Sequence, residues 1–326
     1  MKILGIESSC DETGASVVKD GELILSNIVA SSLKEHQQYG GIIPEIASRR
    51  QLECIHTVTA AALQNAKTKL NGIDAIAVTE SPGLIGSLLV GLSFARSLSF
   101  ALNIPLIEVN HIEAHLYAPF LNDAKSKNRA KPGLPAVGLV VSGGHTSLYY
   151  IKNFRNIALI GQTRDDAAGE TFDKVARILG LGYPGGPAID KVARQCKKSK
   201  LRFTCAPLVD TLDFSFSGIK TSVLYHVNGT KQRSHAATAE TAYAFQKSVV
   251  EVLVKKCVAA AKKHKTKTVL LGGGVAANSF LRERLFTEAQ RQGLKIHFPP
   301  LPLCLDNAAM IAGLGFQLFK RKVKKN

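Results

Sequence analysis

Tryptophan is absent from this 326-residue chain, and aromatic residues make up only 6% of it. No RNA-stacking motif of the RRM kind appears, so any RNA contact is expected to run mostly through phosphate and shape. Cysteine is sparse: Cys10, Cys54, Cys196, Cys205, Cys257 and Cys304 show no C-x-x-C spacing, which reads as reduced thiols in a cytosol. No apolar run crosses a bilayer without interruption. Leu84–Leu102 comes closest but carries Gly91, Arg96 and four serines, so no membrane role is expected. A strand predicted from residue 2 leaves no room for a cleaved leader. Neither G-x-x-x-x-G-K-[ST] nor G-x-G-x-x-G occurs, which argues against a P-loop or a Rossmann site. Acidic residues are also scarce, 25 against 42 basic ones, for a net charge of +17.

The basic excess is clustered in Lys191–Arg202, in Lys255–Lys267 and in the tail Lys320–Lys325. Such clusters serve either a solvated face or a polyanion such as nucleic acid. Three apolar runs break into small-residue turns: Lys2–Gly5 into IESSCDETG, Val137–Val141 into SGGHT, and Val269–Leu271 into GGGVAANS. Turns of this kind present backbone N–H groups to a phosphate. His111 and His115 stand one helical turn apart on a single face, a spacing that suits a metal. Glu113 points to the far side of that helix, so a zincin reading fails. A third ligand is not identified by spacing. Asp306 has the position of an N-cap for the last helix, and Asp165, Asp166 and Glu170 that of a helix-start cluster.

Strands are predicted at Ile3–Ile6, Ala15–Lys19, Glu22–Ala30, Ile73–Thr79 and Ile104–Asn110. Helices are predicted at Ile46–Lys69 and Leu84–Leu102, with a further one opened by the His pair. The polar stretch Asn122–Gly133 reads as a linker. Beyond it, Ala136–Val141 and Thr146–Lys152 repeat the opening strand–turn–strand layout. Helical segments follow at Gly169–Leu179, Pro187–Lys197 and Ala236–Lys263, then Thr268–Leu271, Asn278–Gln292, Lys295–Phe298 and a final helix from Asp306. The expected fold is α/β, with two lobes duplicated around a central cleft as in actin, the sugar kinases and the Hsp70 ATPase. The first lobe is expected at 1–131 and the second, with helical insertions, at 132–326. The final helix, about 306–322, is expected to pack back on the first lobe.

The blocks MKILGIESSCDETGASVV (1–18), GGIIPEIASRR (40–50), His111–His115, VSGGHT (141–146), DDAAGETFDK (165–174), LGYPGGPAID (181–190), FSFSGIKT (214–221), GGGVAAN (272–278) and DNAAMIA (306–312) together resemble one family nearly end to end. That family is the tRNA N6-adenosine threonylcarbamoyltransferases, and Gly40–Arg50 is similar to the bacterial TsaD type or its mitochondrial relative. The resemblance implies transfer of a threonylcarbamoyl group from threonylcarbamoyl-AMP to N6 of adenosine 37 in tRNAs reading codons that begin with A. It implies one metal per chain, iron or zinc, held by His111, His115 and Asp306. It implies nucleotide and acyl contacts at Val140, Val141, Ser142, Gly143, Gly144, Asp173, Gly186, Asp190 and Asn278. Asp11 falls at the acidic position implicated in catalysis.

The expected chemistry uses an already activated mixed anhydride. The metal polarises the acyl carbonyl, backbone amides at Ser142–Gly144 hold the phosphate, and a carboxylate takes the N6 proton. Asp11 is the first choice for that base and Glu12 the second. The partners implied are tRNA, a TsaB-like paralogue and a TsaE-like ATPase, in the cytoplasm. Small departures from the family pattern fall at Ser147, Thr171 and Leu305, the last expected to wall the metal pocket. Two rivals stand beside this reading: an ATP-dependent small-molecule kinase of the same fold, and a non-catalytic nucleotide-dependent scaffold.

Overall fold

The computed structural model describes residues 1–123, 130–206, 208–229 and 234–323; for residues 320–323 it describes backbone only. Part of the predicted linker, 124–129, and the tail residues Lys324 and Lys325 lie outside the described residues. The chain forms two compact units, Met1–Pro132 with Pro299–Asn326, and Gly133–Phe298.

The first unit is built on strands β1 (Lys2–Glu7), β2 (Glu12–Lys19) and β3 (Leu23–Ser31), helices α1 (Leu33–Gln37) and α2 (Pro44–Asn65), strand β4 (Ala75–Ser81), helix α3 (Ile85–Leu102), strand β5 (Leu106–Asn110) and helix α4 (His111–Tyr117). Its sheet runs β3-β2-β1-β4-β5, antiparallel across the first two joins and parallel across the last two. The second unit follows the same plan with β6 (Ala136–Val141), β7 (Thr146–Asn153) and β8 (Asn156–Gln162). Helices α5 (Ala168–Ile178), α6 (Gly185–Ala193), α7 (Ser217–Gly229) and α8 (His235–Lys263) come next, then β9 (Thr268–Gly272), α9 (Ser279–Arg291) and β10 (Lys295–His297). Its order is β10-β9-β6-β7-β8, so β6–β10 take the places of β1–β5 one for one. The duplication read from two hairpins therefore extends through the whole five-stranded sheet.

A central strand covered on both faces needs apolar residues at successive positions, and β1 supplies them. Leu4, Ile6, Ile76 and Val78 join Ile55, Val58, Ala62 and Ala95 in one core cluster under α2 and α3. The opposite face receives the last helix, α10 (Ala308–Val323). There the strand carries glycine: a Cβ on Gly5 would fall on the Ala308 carbonyl oxygen, and one on Gly14 would lie 3.1 Å from the Ala308 nitrogen. These two glycines let the start of α10 sit directly on the β1–β2 hairpin, which positions the residue pair just before it, Asp306 and Asn307. Gly5→Ala is expected to cost about 1–3 kcal/mol, because a backbone carbonyl cannot rotate out of the way as a side chain can. A urea midpoint that falls at unchanged slope would show it.

Helix α3 is apolar and, at 18 residues, long enough by length and composition to cross a membrane. Its Ser87, Gly91 and Ala95 are buried, whereas Ile85, Leu89 and Phe100 are exposed. Boundaries moved elsewhere by a few residues. Strand β8 and helices α1 and α7 have no counterpart among the expected elements. Helix α2 ends at Asn65 rather than Lys69, and Lys67 adopts φ 48° in the turn that follows.

Candidate metal centre and nucleotide turn

Strand β5 passes into α4 without a loop because Asn110 caps the helix. Its Oδ1 accepts from the N–H groups of Ile112 and Glu113 at 2.9 and 3.0 Å. The cap sets His111 at the first helical position and His115 one turn on, both buried. Asp306 meets them from 191 residues away: its Oδ1 lies 3.2 Å from His115 Nε2 and 3.4 Å from His111 Nε2. Asp306 is not the helix cap that its position suggested. Asn307 takes that task, its Oδ1 accepting from the Met310 N–H at 3.1 Å, which leaves the Asp306 carboxylate for the imidazoles. Leu305, next to Asp306, is 56% exposed.

The other nitrogen of His111, Nδ1, lies 2.9 Å from Glu7 Oε2 and 3.2 Å from Ser9 Oγ. Glu7 is itself fully engaged: Oε1 accepts from the Ser9 N–H at 2.6 Å, and Oε2 from the Thr79 hydroxyl at 2.7 Å. A buried carboxylate on Nδ1 orients the ring so that Nε2 faces Asp306. Burial alone would lower the His111 pKa, but Asp306 and Glu7 outweigh it and raise it. Burial works to raise the Asp306 pKa, yet the two imidazoles hold it far below the ordinary carboxylate range. Three donors of one neutral-nitrogen and carboxylate set all lie within 4.8 Å of one another. Donors bonded tetrahedrally at about 2.0–2.1 Å stand about 3.3–3.4 Å apart, which the two His–Asp separations match. The residues therefore offer an N,N,O donor set of the kind that holds a divalent transition metal.

Asp11 belongs to the same unit, in the turn between β1 and β2. The turn is fastened by Gln51, whose Nε2 donates to the carbonyls of Cys10 and Glu12 at 2.9 and 3.1 Å, and by Ser32, whose hydroxyl donates to the Asp11 carbonyl at 2.8 Å. Burial, then the charges of Asp306 and Asp11, push the Glu12 pKa up to about 10.

In the second unit the turn after β6 is closed on itself. The Ser142 N–H donates to the His145 carbonyl at 2.8 Å, and the His145 N–H to Ser142 Oγ at 3.1 Å. Val140 and Val141 are buried, so only their backbone can meet a ligand. Gly143 and Gly144 are exposed with open space around them, and their N–H groups donate to nothing among the described residues. The start of α5 is tied to this turn by the Gly169 N–H on the Ser142 carbonyl at 3.1 Å. Gly273, at φ +88°, sits on the Val141 carbonyl and brings the GGGVAAN turn against the end of β6.

The remaining expected substrate contacts are engaged with helix N-termini. Asp173 Oδ1 accepts from the Gly185 N–H at the start of α6 at 2.7 Å, and burial raises its pKa. Asp190 accepts from the Ser279 hydroxyl at 2.9 Å and from Arg194 at 2.6 Å. Asn278 caps α9 through the Leu281 N–H at 2.9 Å and donates to Gln246 at 2.8 Å. Gly186 has open space around it. Asp165 does not complement its own helix. It gathers the Ser215 hydroxyl at 2.5 Å and the Phe216 N–H at 2.7 Å, joining the DDAAGETFDK and FSFSGIKT blocks. Glu7, Gln51 and Ser9 were not singled out beforehand. A carboxylate at the buried end of an apolar strand was the available signal for Glu7.

Comparison with known proteins identifies the family. The family model described as TsaD, tRNA N6-adenosine threonylcarbamoyltransferase, matches residues 23–313. A protein of that name from Caldicellulosiruptor saccharolyticus is 50% identical over 98% of this chain and 94% of its own length. Another, from Fusobacterium nucleatum, is 50% identical over 100% of this chain and 93% of its own. Among solved structures, HypF of T. kodakarensis superposes with a TM-score of 0.64 at 16% identity, over 98% of this chain and 48% of that one. That likeness speaks to the fold alone, the two-lobe α/β class of actin, the sugar kinases and the Hsp70 ATPase. The full-length sequence identity reaches further: the chain belongs to the tRNA N6-adenosine threonylcarbamoyltransferase family, enzymes that place a threonylcarbamoyl group on N6 of adenosine in tRNA.

Proposed function

We propose that the donor is threonylcarbamoyl-AMP, that the acceptor is adenosine 37 of tRNAs reading codons beginning with A, and that one metal, iron or zinc, is held by His111, His115 and Asp306. The observation that carries this reading is the approach of Asp306 Oδ1 to both Nε2 atoms at tetrahedral-edge separations. Such a metal, when bound, supplies a Lewis acid for the acyl carbonyl. Glu7 keeps His111 in the tautomer that offers Nε2. The free N–H groups of Gly143 and Gly144 bind the AMP phosphate, with Val140, Val141 and Ser142 forming the turn that presents them. Asp173, Asp190 and Asn278 hold the first turns of α6 and α9, and with Gly186 shape the nucleoside side of that site.

The adenosine N6 attacks the carbamoyl carbon. The new N–C bond forms as the C–O bond to phosphate breaks, AMP departs with the electron pair, and Asp11 accepts the proton lost by N6. Helper proteins of the TsaB and TsaE kind and a cytoplasmic setting belong to the same proposal. The test combines threonine labelled with radiocarbon, the adenylate-forming partner, ATP, tRNA and the helpers. Label in tRNA that requires this chain, and that vanishes when adenosine 37 is replaced by guanosine, is expected. Phosphoryl transfer from ATP to a small molecule without labelled tRNA would favour a kinase instead.

A further inference from the structure

Two of the three basic clusters have described side chains, and both present exposed cations; they differ in what the backbone takes up. In Lys255–Lys267, Lys256 Nζ is bound to the Leu208 and Thr211 carbonyls, and Lys262 and Lys263 close the last turn of α8. In Lys191–Arg202, by contrast, Lys191, Lys197, Lys198, Lys200 and Arg202 are exposed, and none has an ion-pair partner among the described residues. Residues 191–206 contain no carboxylate. Arg194 alone is paired, with Asp190 at 2.6 Å.

The segment is nevertheless held firmly. His235 Nε2 meets Gln195 Oε1 at 2.7 Å, the Ser199 hydroxyl donates to Glu240 at 2.7 Å, and the Phe203 ring packs edge-on against His226 at 5.7 Å. That last contact sets Phe203, the residue after Arg202, against α7, the helix on which Tyr225 is 72% exposed. Like charges fixed close together repel, and a polyanion resolves the repulsion. The exposed Tyr225 ring on the helix that Phe203 packs against offers a flat face on which an unpaired base stacks.

We propose that Lys191–Arg202 and the adjoining face of α7 form the tRNA-gripping surface of this chain, the cations on phosphates and Tyr225 under an unstacked base. α6 carries Gly186 near its start and ends just before the cations. At about 1.5 Å per residue, its nine residues separate the two by about 13 Å, roughly two nucleotide steps. The proposal rests on tRNA being the substrate, and its test reads binding rather than transfer.

The experiment measures affinity for an A37-containing tRNA at several salt concentrations, with AMP affinity by calorimetry as control. The variants are the quadruple Lys197→Ala/Lys198→Ala/Lys200→Ala/Arg202→Ala, Tyr225→Ala and Tyr225→Phe. The quadruple variant is expected to lose about 2–4 units of log–log salt slope. Tyr225→Ala should bind about tenfold more weakly at unchanged slope, and Tyr225→Phe should bind as the parent does. Parental slope and affinity in the quadruple variant overturn the proposal, and so does a matching loss of AMP affinity, which would mark the segment as structural. A salt-dependent loss of tRNA binding would stand even if the transfer assay failed, so the two readings fail separately.

Discussion

Replacing His115 with alanine is expected to abolish metal binding and to lower threonylcarbamoyl transfer by more than about 100-fold, the scale set by the 10–100-fold cost of losing even a partner behind a ligand. His115 is fully buried, so the substitution also leaves a cavity, and activity alone would not separate the two effects. Two near-isosteric changes do. Asp306→Asn removes the anionic donor while keeping shape, and should abolish metal retention as His115→Ala does. Glu7→Gln keeps the side chain's volume but offers His111 Nδ1 an amide in place of a carboxylate, and should weaken metal affinity about 10–100-fold without abolishing it. Metal content by elemental analysis is the readout. Equal metal in the parent and in the His111→Ala/His115→Ala double variant would refute the site.

Gly143→Val should lower AMP affinity by about 10–100-fold and leave the fold intact. The loss corresponds to about one backbone hydrogen bond to a charged phosphate, about 1.5–3 kcal/mol. The structure makes this a clean experiment. A Cβ at Gly143 meets nothing within 4 Å, and φ there lies outside the positive region, so the valine strains nothing inside the protein and crowds only what approaches the turn. Gly273→Val would be a poor substitute, since φ +88° and the Val141 carbonyl beneath it both oppose a side chain. Unchanged calorimetric affinity in Gly143→Val, with an unchanged melting temperature, would move the phosphate elsewhere.

The parts of this protein legible in its sequence are those whose physics is local. The pair His111 and His115 could be placed on one helical face because the spacing of a helix is fixed, and Asn110 before them is an ordinary cap. The strand–turn–strand openings at Met1 and Ala136 were visible because apolar runs and small-residue turns are contiguous. Helix α7 was not, because its start depends on Asp165, about fifty residues earlier, accepting from Ser215, Phe216 and Ser217. Strand β8 is a half-exposed edge, and its sparse apolar pattern gives little contrast with a loop.

What the sequence alone determined was the family and the duplicated α/β plan. Motif blocks and periodicities survive without coordinates. What only the tertiary structure decided was which residues act together. Asp306 joins the imidazoles because Gly5 and Gly14 admit α10 onto the β1–β2 hairpin, and because Asn307 relieves it of capping the helix. Glu7 becomes the partner of His111 through a contact between residues 104 apart. Asp173, Asp190 and Asn278 prove to be occupied with helix N-termini, while Gly143 and Gly144 keep free N–H groups. Such assignments follow from which polar atoms find partners inside the fold and which are left for a ligand. Only the packed chain decides that, because a hydrogen bond depends on distance in space and is blind to separation along the sequence.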